Sequence, residues 1–318
     1  MTEVDLCHVG LSQIDLGDCT FELRSFSDSN RLADSLARAG ILDPVWLGEK
    51  SGKFFVVDGF KRLRWAKDKG SDCLFCRIFK EGCDLRRVWV EKLEKRLCEG
   101  EINLAEKAQI IAVLAELFGP GEIPGFFLSG LKAANRPEAI RKWLLLAGKG
   151  PRMLEALASG EVCERAAMEI SDWDDPGFDS VLALLRALKC SASIQVEIVE
   201  RISEIAIRQE SSRAAVLELA PVREILSREM NHREKTAALR QYLAEVRNPR
   251  LSLRRKRFQR ELEALGLPLG ARVVPPEAFE GGEWSMQLSF TRPEELRKIF
   301  RLAEPVVASN RLDKVFEK

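Results

Sequence analysis

Residues 54–66, F-F-V-V-D-G-F-K-R-L-R-W-A, constrain this chain more than any other stretch. Two aromatic and two β-branched residues in succession read as a short buried strand. Asp58 and Gly59 end that strand, and a helix opens near Phe60 with Asp58 as its expected N-cap. Gly59 permits a sharp turn or a close approach of ligand to backbone. Lys61, Arg62 and Arg64 then crowd the first helical turns. Unpaired backbone N–H groups at a helix start attract anions, and guanidinium groups beside them grip phosphate. The same charges also suit a strand–turn–helix with an ordinary solvated basic face.

A chain of 318 residues exceeds what one core commonly organises, so two or three domains are expected. With 50 basic and 49 acidic side chains, net charge gives no general pull on nucleic acid, and any such binding must come from local clusters. The eight cysteines, without a secretory signal or an apolar run of membrane-spanning length, point to a reducing cytoplasm and no membrane. Cys73, Cys76 and Cys83 form C-x2-C-x6-C, a spacing that invites zinc. Yet Cys73 and Cys76 fall on one expected strand, where positions three apart face opposite sides, and only His8 and His232 could complete a site. So few histidines leave no Ser/His/Asp or Cys/His catalytic set, and no catalytic residue is assigned.

The first hundred residues read as mixed α/β. Residues 14–26 are irregular. Asp28 or Asn30 caps a helix carrying Leu32, Leu36 and Ala39, which Gly40 ends. An extended segment covers 41–47, strands cover 54–57 and 74–79, and a helix carries Val88, Leu93 and Leu97. Glu91, Lys92, Glu94, Lys95 and Arg96 are expected on its other sides. From Gly100 the texture is helical. Asn103 with Glu106 forms a capping-box pair, and Asn231 with Glu234 another. Short helices at 125–131 and 137–147 flank a turn at 133–136, with Pro137 at a first helical position. Their outward charges are Arg136, Arg141 and Lys142, which fit either nucleic-acid contacts or a plain basic face. Further helices fall at 151–159, 162–170, 177–188, 193–209 and 213–228. After Asn248-Pro249 a basic run, Arg250, Arg254, Arg255, Lys256, Arg257 and Arg260, leads into a helix. It suits non-specific DNA binding or a solvated linker. Strands near 271–274 and 284–290 and a helix from Pro293 complete an α-β-β-α unit too small for its own core, which is expected to bury its sheet against a second copy.

Taken in order, these segments resemble the ParB family of chromosome and plasmid partition proteins. Residues 59–66, G-F-K-R-L-R-W-A, look like its G-E-R-R-x-R-A-A box, and 35–44 resemble S-I-x-x-x-G-I-x-Q-P. Glu91-Lys92-Leu93-Glu94-Lys95 stands where the family has E-N-L-Q-R, and 103–108 where it has L-N-P-I-E-E-A. The resemblance implies an α+β, mostly helical chain in three parts. These are a nucleotide-binding α/β domain (1–99), a helix-turn-helix-like DNA-binding middle (100–247) and a C-terminal dimerisation module (250–318). It further implies CTP with Mg2+, a homodimeric clamp on double-stranded DNA, a ParA-like partition ATPase as a partner, and a nucleoid-associated place in the cytoplasm. Carried over by position, Gly40, Gly59, Lys61, Arg62 and Lys95 would hold the nucleotide and Glu91 the metal. Arg136, Arg141, Lys142, Arg254, Arg255, Lys256 and Arg257 would meet DNA. Any catalysis would be slow CTP hydrolysis. The alternative within the same fold is a nucleotide-dependent enzyme, a small-molecule kinase or a nuclease. Against the family pattern, Phe60 replaces Glu, Lys61 and Lys95 replace Arg, Asp43 replaces Gln, Lys92 replaces Asn and Glu94 replaces Gln. Residues 162–168, V-C-E-R-A-A-M, also have Ala166 and Met168 where the family's L-S-x-G-H-A-R has His and Arg.

Overall fold

The computed structural model describes residues 4–24, 30–309 and 313, so Asp28, a capping candidate, and Phe26 lie outside the described residues. The chain divides into two compact units, Met1–Val199 and Glu200–Lys318. The first opens with strands β1 (Val4–Gly10) and β2 (Ile14–Asp15) and helix α1 (Asn30–Ala39). Strands β3 (Val45–Lys50) and β4 (Lys53–Asp58), helix α2 (Phe60–Asp68), strand β5 (Cys73–Phe79) and helix α3 (Leu85–Cys98) follow. The five strands form one mixed sheet in the order β1-β5-β3-β4-β2. β3 pairs antiparallel with β4 and parallel with β5. Ser51 and Gly52 both take positive φ between β3 and β4, as a two-residue hairpin turn of the I′ type requires.

The core forms where one face of the sheet meets α2. Val45, Leu47, Val56, Cys76 and Ile78 pack there with Leu63 and Ala66. Cys76 is buried while Cys73 is exposed, the opposite orientation expected three residues apart on a strand. Gly48 lies opposite Phe55, and a Cβ on it would fall 2.1 Å from the Phe55 ring. Glycine thus lets that ring lie across β3. Phe55 stacks on Phe21 at 5.8 Å, and Phe21 on Trp89 of α3 at 4.5 Å, which pins the segment around Phe21 to α3.

Helices α4 (Leu104–Phe118), α5 (Gly125–Gly130), α6 (Pro137–Gly148), α7 (Pro151–Ala158), α8 (Glu164–Ile170), α9 (Asp175–Leu188) and α10 (Ala192–Arg208) follow. The Asn103–Glu106 box closes the start of α4 in both directions, as its sequence indicates. α4 packs on α6 and α7, and α6 also meets α8.

The second unit holds α11 (Arg213–Leu217), α12 (Ala220–Ser227), α13 (His232–Arg247) and α14 (Pro249–Leu265), then β6 (Ala271–Val274), β7 (Ser285–Leu288) and α15 (Pro293–Val307). The single helix expected over 213–228 is two. Pro221 has no N–H to donate and falls in the first turn of α12, after an extended Leu219. The basic run is not a linker, because all of it lies within α14. β6 and β7 pair antiparallel, and Phe258, Phe279 and Trp284 gather with ring centroids 5.5–6.1 Å apart. The α-β-β-α order is therefore present. β1 was not legible, and its residues from Asp5 to His8 are exposed on an edge strand.

Candidate functional site

α2 begins at Phe60, as expected, but its cap differs from the expected one. Gly59, not Asp58, is its N-cap, at φ 93° and ψ 24°, and no side chain caps the first turn. That left-handed conformation is natural to glycine. A Cβ on Gly59 would also stand 3.1–3.3 Å from the Arg62 guanidinium. The Asp58 carboxylate does not cap α2 but lies between Arg62 of α2 and Lys95 of α3.

Ahead of α2 lies a cleft of about 500 Å³. Gly59, Lys61 and Arg62 from one motif line it together with Lys95 from another, as does the segment around Glu22. Among the described residues, seven cationic side chains face it against four carboxylates. Each carboxylate is held by a lining cation. Asp58 pairs with Lys95 at 2.6 Å and Arg62 at 3.0 Å, Glu22 with Arg64 at 2.5 Å, Glu106 with Arg96 at 2.7 Å, and Glu99 with Lys95 at 3.1 Å. The surplus is positive, which suits an anion. Arg62 also donates to the carbonyls of Asp43 at 2.9 Å and Pro44 at 3.3 Å. Burial alone would raise the Asp58 carboxyl. The Lys95 hydrogen bond, with the charges of Lys95, Lys92 and Arg62, more than offsets that and holds it below its ordinary value.

Lys92 does not lie on the solvent side of α3 that its charge suggests. It is 6% exposed and lines the cleft instead of facing solvent. Its ammonium donates to the Phe21 carbonyl and, at 2.7 Å, to the Val57 carbonyl. Burial pulls its pKa down to about 8, and the nearby Asp58 charge opposes the shift. Positions 88, 89, 92 and 93 form one helical stripe, so the spacing carried the signal that its charge obscured.

Other expected residues are not brought to this cleft. Gly40 ends α1 with φ 69°, and open space surrounds it. The Glu91 carboxylate is held by Arg77 at 2.8 Å and Arg87 at 3.6 Å, and Arg77 itself stacks over Trp46 at 4.3 Å. A carboxylate between two guanidiniums does not fit the magnesium role of its motif position, since they compete for the oxygens a metal would need. Among the described residues no group of three or more His, Cys, Asp or Glu side chains could hold a metal ion.

Arg136 stands at the N-cap of α6 and, with Lys142, lines a second concavity beside Glu138 and Glu164. Arg141 is exposed, while Ile140, Trp143 and Leu146 are buried beneath. In the second unit, Arg255 is exposed and Lys256 pairs with Glu245 at 2.7 Å. Arg254 lies 5.5 Å over the Phe279 ring, and Arg257 is half-buried.

No protein-family model and no curated protein matches this chain. Among solved structures it is similar to the C-terminally truncated chromosome-partitioning protein ParB from Caulobacter crescentus complexed to the centromeric parS site. There the identity is 16%, over 61% of this chain and 99% of that one, with a TM-score of 0.36. It is also similar to the C-terminally truncated Caulobacter crescentus ParB complexed with CTP-gamma-S, at 17% identity, over 57% of this chain and 98% of that one, with a TM-score of 0.26. A third is the pNOB8-like ParB N-domain, at 15% identity, over 76% of this chain and 98% of that one, with a TM-score of 0.34. All three are ParB structures, the family that the sequence motifs resemble.

Proposed function

We propose that this chain is a ParB-like DNA-binding factor of chromosome or plasmid partition, a homodimer that closes on duplex DNA when CTP occupies the cleft ahead of α2. The observation that carries the reading is the meeting of two separate motif segments in one positively charged cleft, Gly59-Lys61-Arg62 and Lys95. An uncapped helix start and a surplus of cations favour a polyphosphate there. Arg136, Arg141 and Lys142 on α6 supply the cations for a DNA groove, with α5 as the first helix of the pair. α14 adds phosphate contacts through Arg254, Arg255 and Arg257, with Lys256 shared with Glu245.

The test is equilibrium binding of CTP, ATP, GTP and UTP, with and without magnesium and duplex DNA. Selective CTP binding that falls at least about tenfold in Lys61→Ala supports the reading, in line with loss of a charge-assisted contact. Preference for ATP, with turnover that ignores DNA and rises with a hydroxyl acceptor, favours the small-molecule kinase instead.

Dimerisation through the last seventy residues is part of the same proposal. Met286, Phe290 and Phe300 are 42%, 49% and 60% exposed around the two-stranded sheet, apolar surface that a second copy would cover. Deleting residues 250–318 is expected to leave a monomer by sedimentation. A truncated protein that still sediments as a dimer would remove the module from the proposal.

A further inference from the structure

Within the cleft, the position that should receive a phosphate is already served by the chain. Asp58 is the last residue of β4, and the left-handed turn at Gly59 places its carboxylate between two cations. It meets Lys95 at 2.6 Å and Arg62 at 3.0 Å, with its side chain only 26% exposed. Lys95 and Arg62 are two of the cations that the cleft would otherwise offer to a ligand. We propose that Asp58 is the counter-anion shared by Lys95 and Arg62 in this cleft: a phosphorylated ligand binds by displacing its carboxylate from both cations, so this internal charge lowers the chain's own affinity. The inference rests on the reading of the cleft as a phosphate site.

A carboxylate beside two cations can also serve to aim them. Here both have other supports. Arg62 is fixed by the carbonyls of Asp43 and Pro44. Lys95 is fixed by Glu99 at 3.1 Å and lies 5.0 Å over the Trp46 ring. Neither needs Asp58 for its direction, so the remaining effect of Asp58 is charge. A neighbouring anion neutralises the pair and competes with any incoming one. Asparagine at this position keeps the shape and removes the competitor.

The experiment is calorimetric titration of the full chain with CTP and with inorganic pyrophosphate, comparing wild type, Asp58→Asn and the double variant Asp58→Asn/Lys95→Met. Asp58→Asn is expected to bind both ligands at least about tenfold more tightly, the low end of the coupling between close charge pairs. The double variant is expected to lose that gain, because Lys95 is the cation released. Asp58→Ser makes the same change of charge with a smaller side chain, and a thermal melt establishes that either variant is folded. Equal or weaker binding in folded Asp58→Asn and Asp58→Ser overturns the inference and makes Asp58 an aiming residue, while wild-type CTP binding would leave the proposed function intact. Binding by Asp58→Asn alone upholds the inference and sinks the native CTP switch. Binding by neither protein overturns both.

Discussion

Replacing Trp143 with alanine is expected to cost the first unit about 3–5 kcal/mol, the usual penalty for emptying a buried aromatic site. Trp143 is 1% exposed on α6, and its ring lies 4.7 Å beneath the Lys107 ammonium. Lys107 is itself 4% exposed and donates to the Lys132 carbonyl at 3.1 Å and to Glu164 at 2.9 Å. One cation thus ties α4 to the turn before α6 and to the start of α8, with the indole as its floor. Removing the ring leaves a cavity and strips a desolvated ammonium of its aromatic partner. The melting temperature should fall by roughly 6–20 °C for a unit of this size. DNA binding should fall with it, since Arg136, Arg141 and Lys142 ride on the same helix. Arg141→Ala is the control. Arg141 is exposed, so its loss should move stability by no more than about 0.5 kcal/mol while weakening DNA binding. Unchanged melting in Trp143→Ala would mean that α6 does not depend on this packing.

The difference between these two residues shows what the sequence discloses. Ile140 and Trp143 fall on the buried side of α6 as their spacing indicates, and the capping pairs Asn103/Glu106 and Asn231/Glu234 open their helices where expected. Such signals are local, because the chemistry that starts or stops a helix lies within a turn of it. β1 carries no such signal, since an edge strand with Asp5 to His8 exposed has no alternation to read. Pro221 marks the break between α11 and α12, but the apolar spacing on either side still matches one helix and masks it. The cleft divides in the same way. Gly59, Lys61, Arg62 and Lys95 converge as their motifs suggest. The two residues that set its electrostatics were misplaced. Asp58 looked like a cap, but its main partner is Lys95, 37 positions away, and no local pattern reports a contact at that range. Lys92 looked solvent-facing because lysine is rarely buried, although its helical stripe points inward.

The burial of Lys92 has a measurable consequence at alkaline pH. Its pKa falls from 10.5 to about 8 on folding, so between those values the unfolded chain holds a proton that the folded chain has released. Stability then rises with pH across that window. At about 1.4 kcal/mol per unit, the rise totals about 3 kcal/mol. Cys76 works in the opposite direction. Burial pushes its thiol from 9.0 up to about 12, so above pH 9 the unfolded chain ionises while the folded chain keeps its proton. Stability falls across that second window by about 4 kcal/mol. Together the two groups predict a rise from about pH 8 to 9, near-cancellation to about 10.5, and a decline beyond. Urea midpoints followed by tryptophan fluorescence read the first unit, which holds five of the six tryptophans. Other groups titrate here too, so the informative quantity is the difference between wild type and each variant. Lys92→Met leaves two carbonyls without their donor, a cost nearly independent of pH, but it removes the rising limb. Cys76→Ala removes the falling limb and leaves the rise to about pH 10.5 intact. If wild type and Lys92→Met run parallel from pH 7 to 10.5, the Lys92 ammonium is not desolvated in the folded protein, and the cleft holds an ordinary solvated lysine.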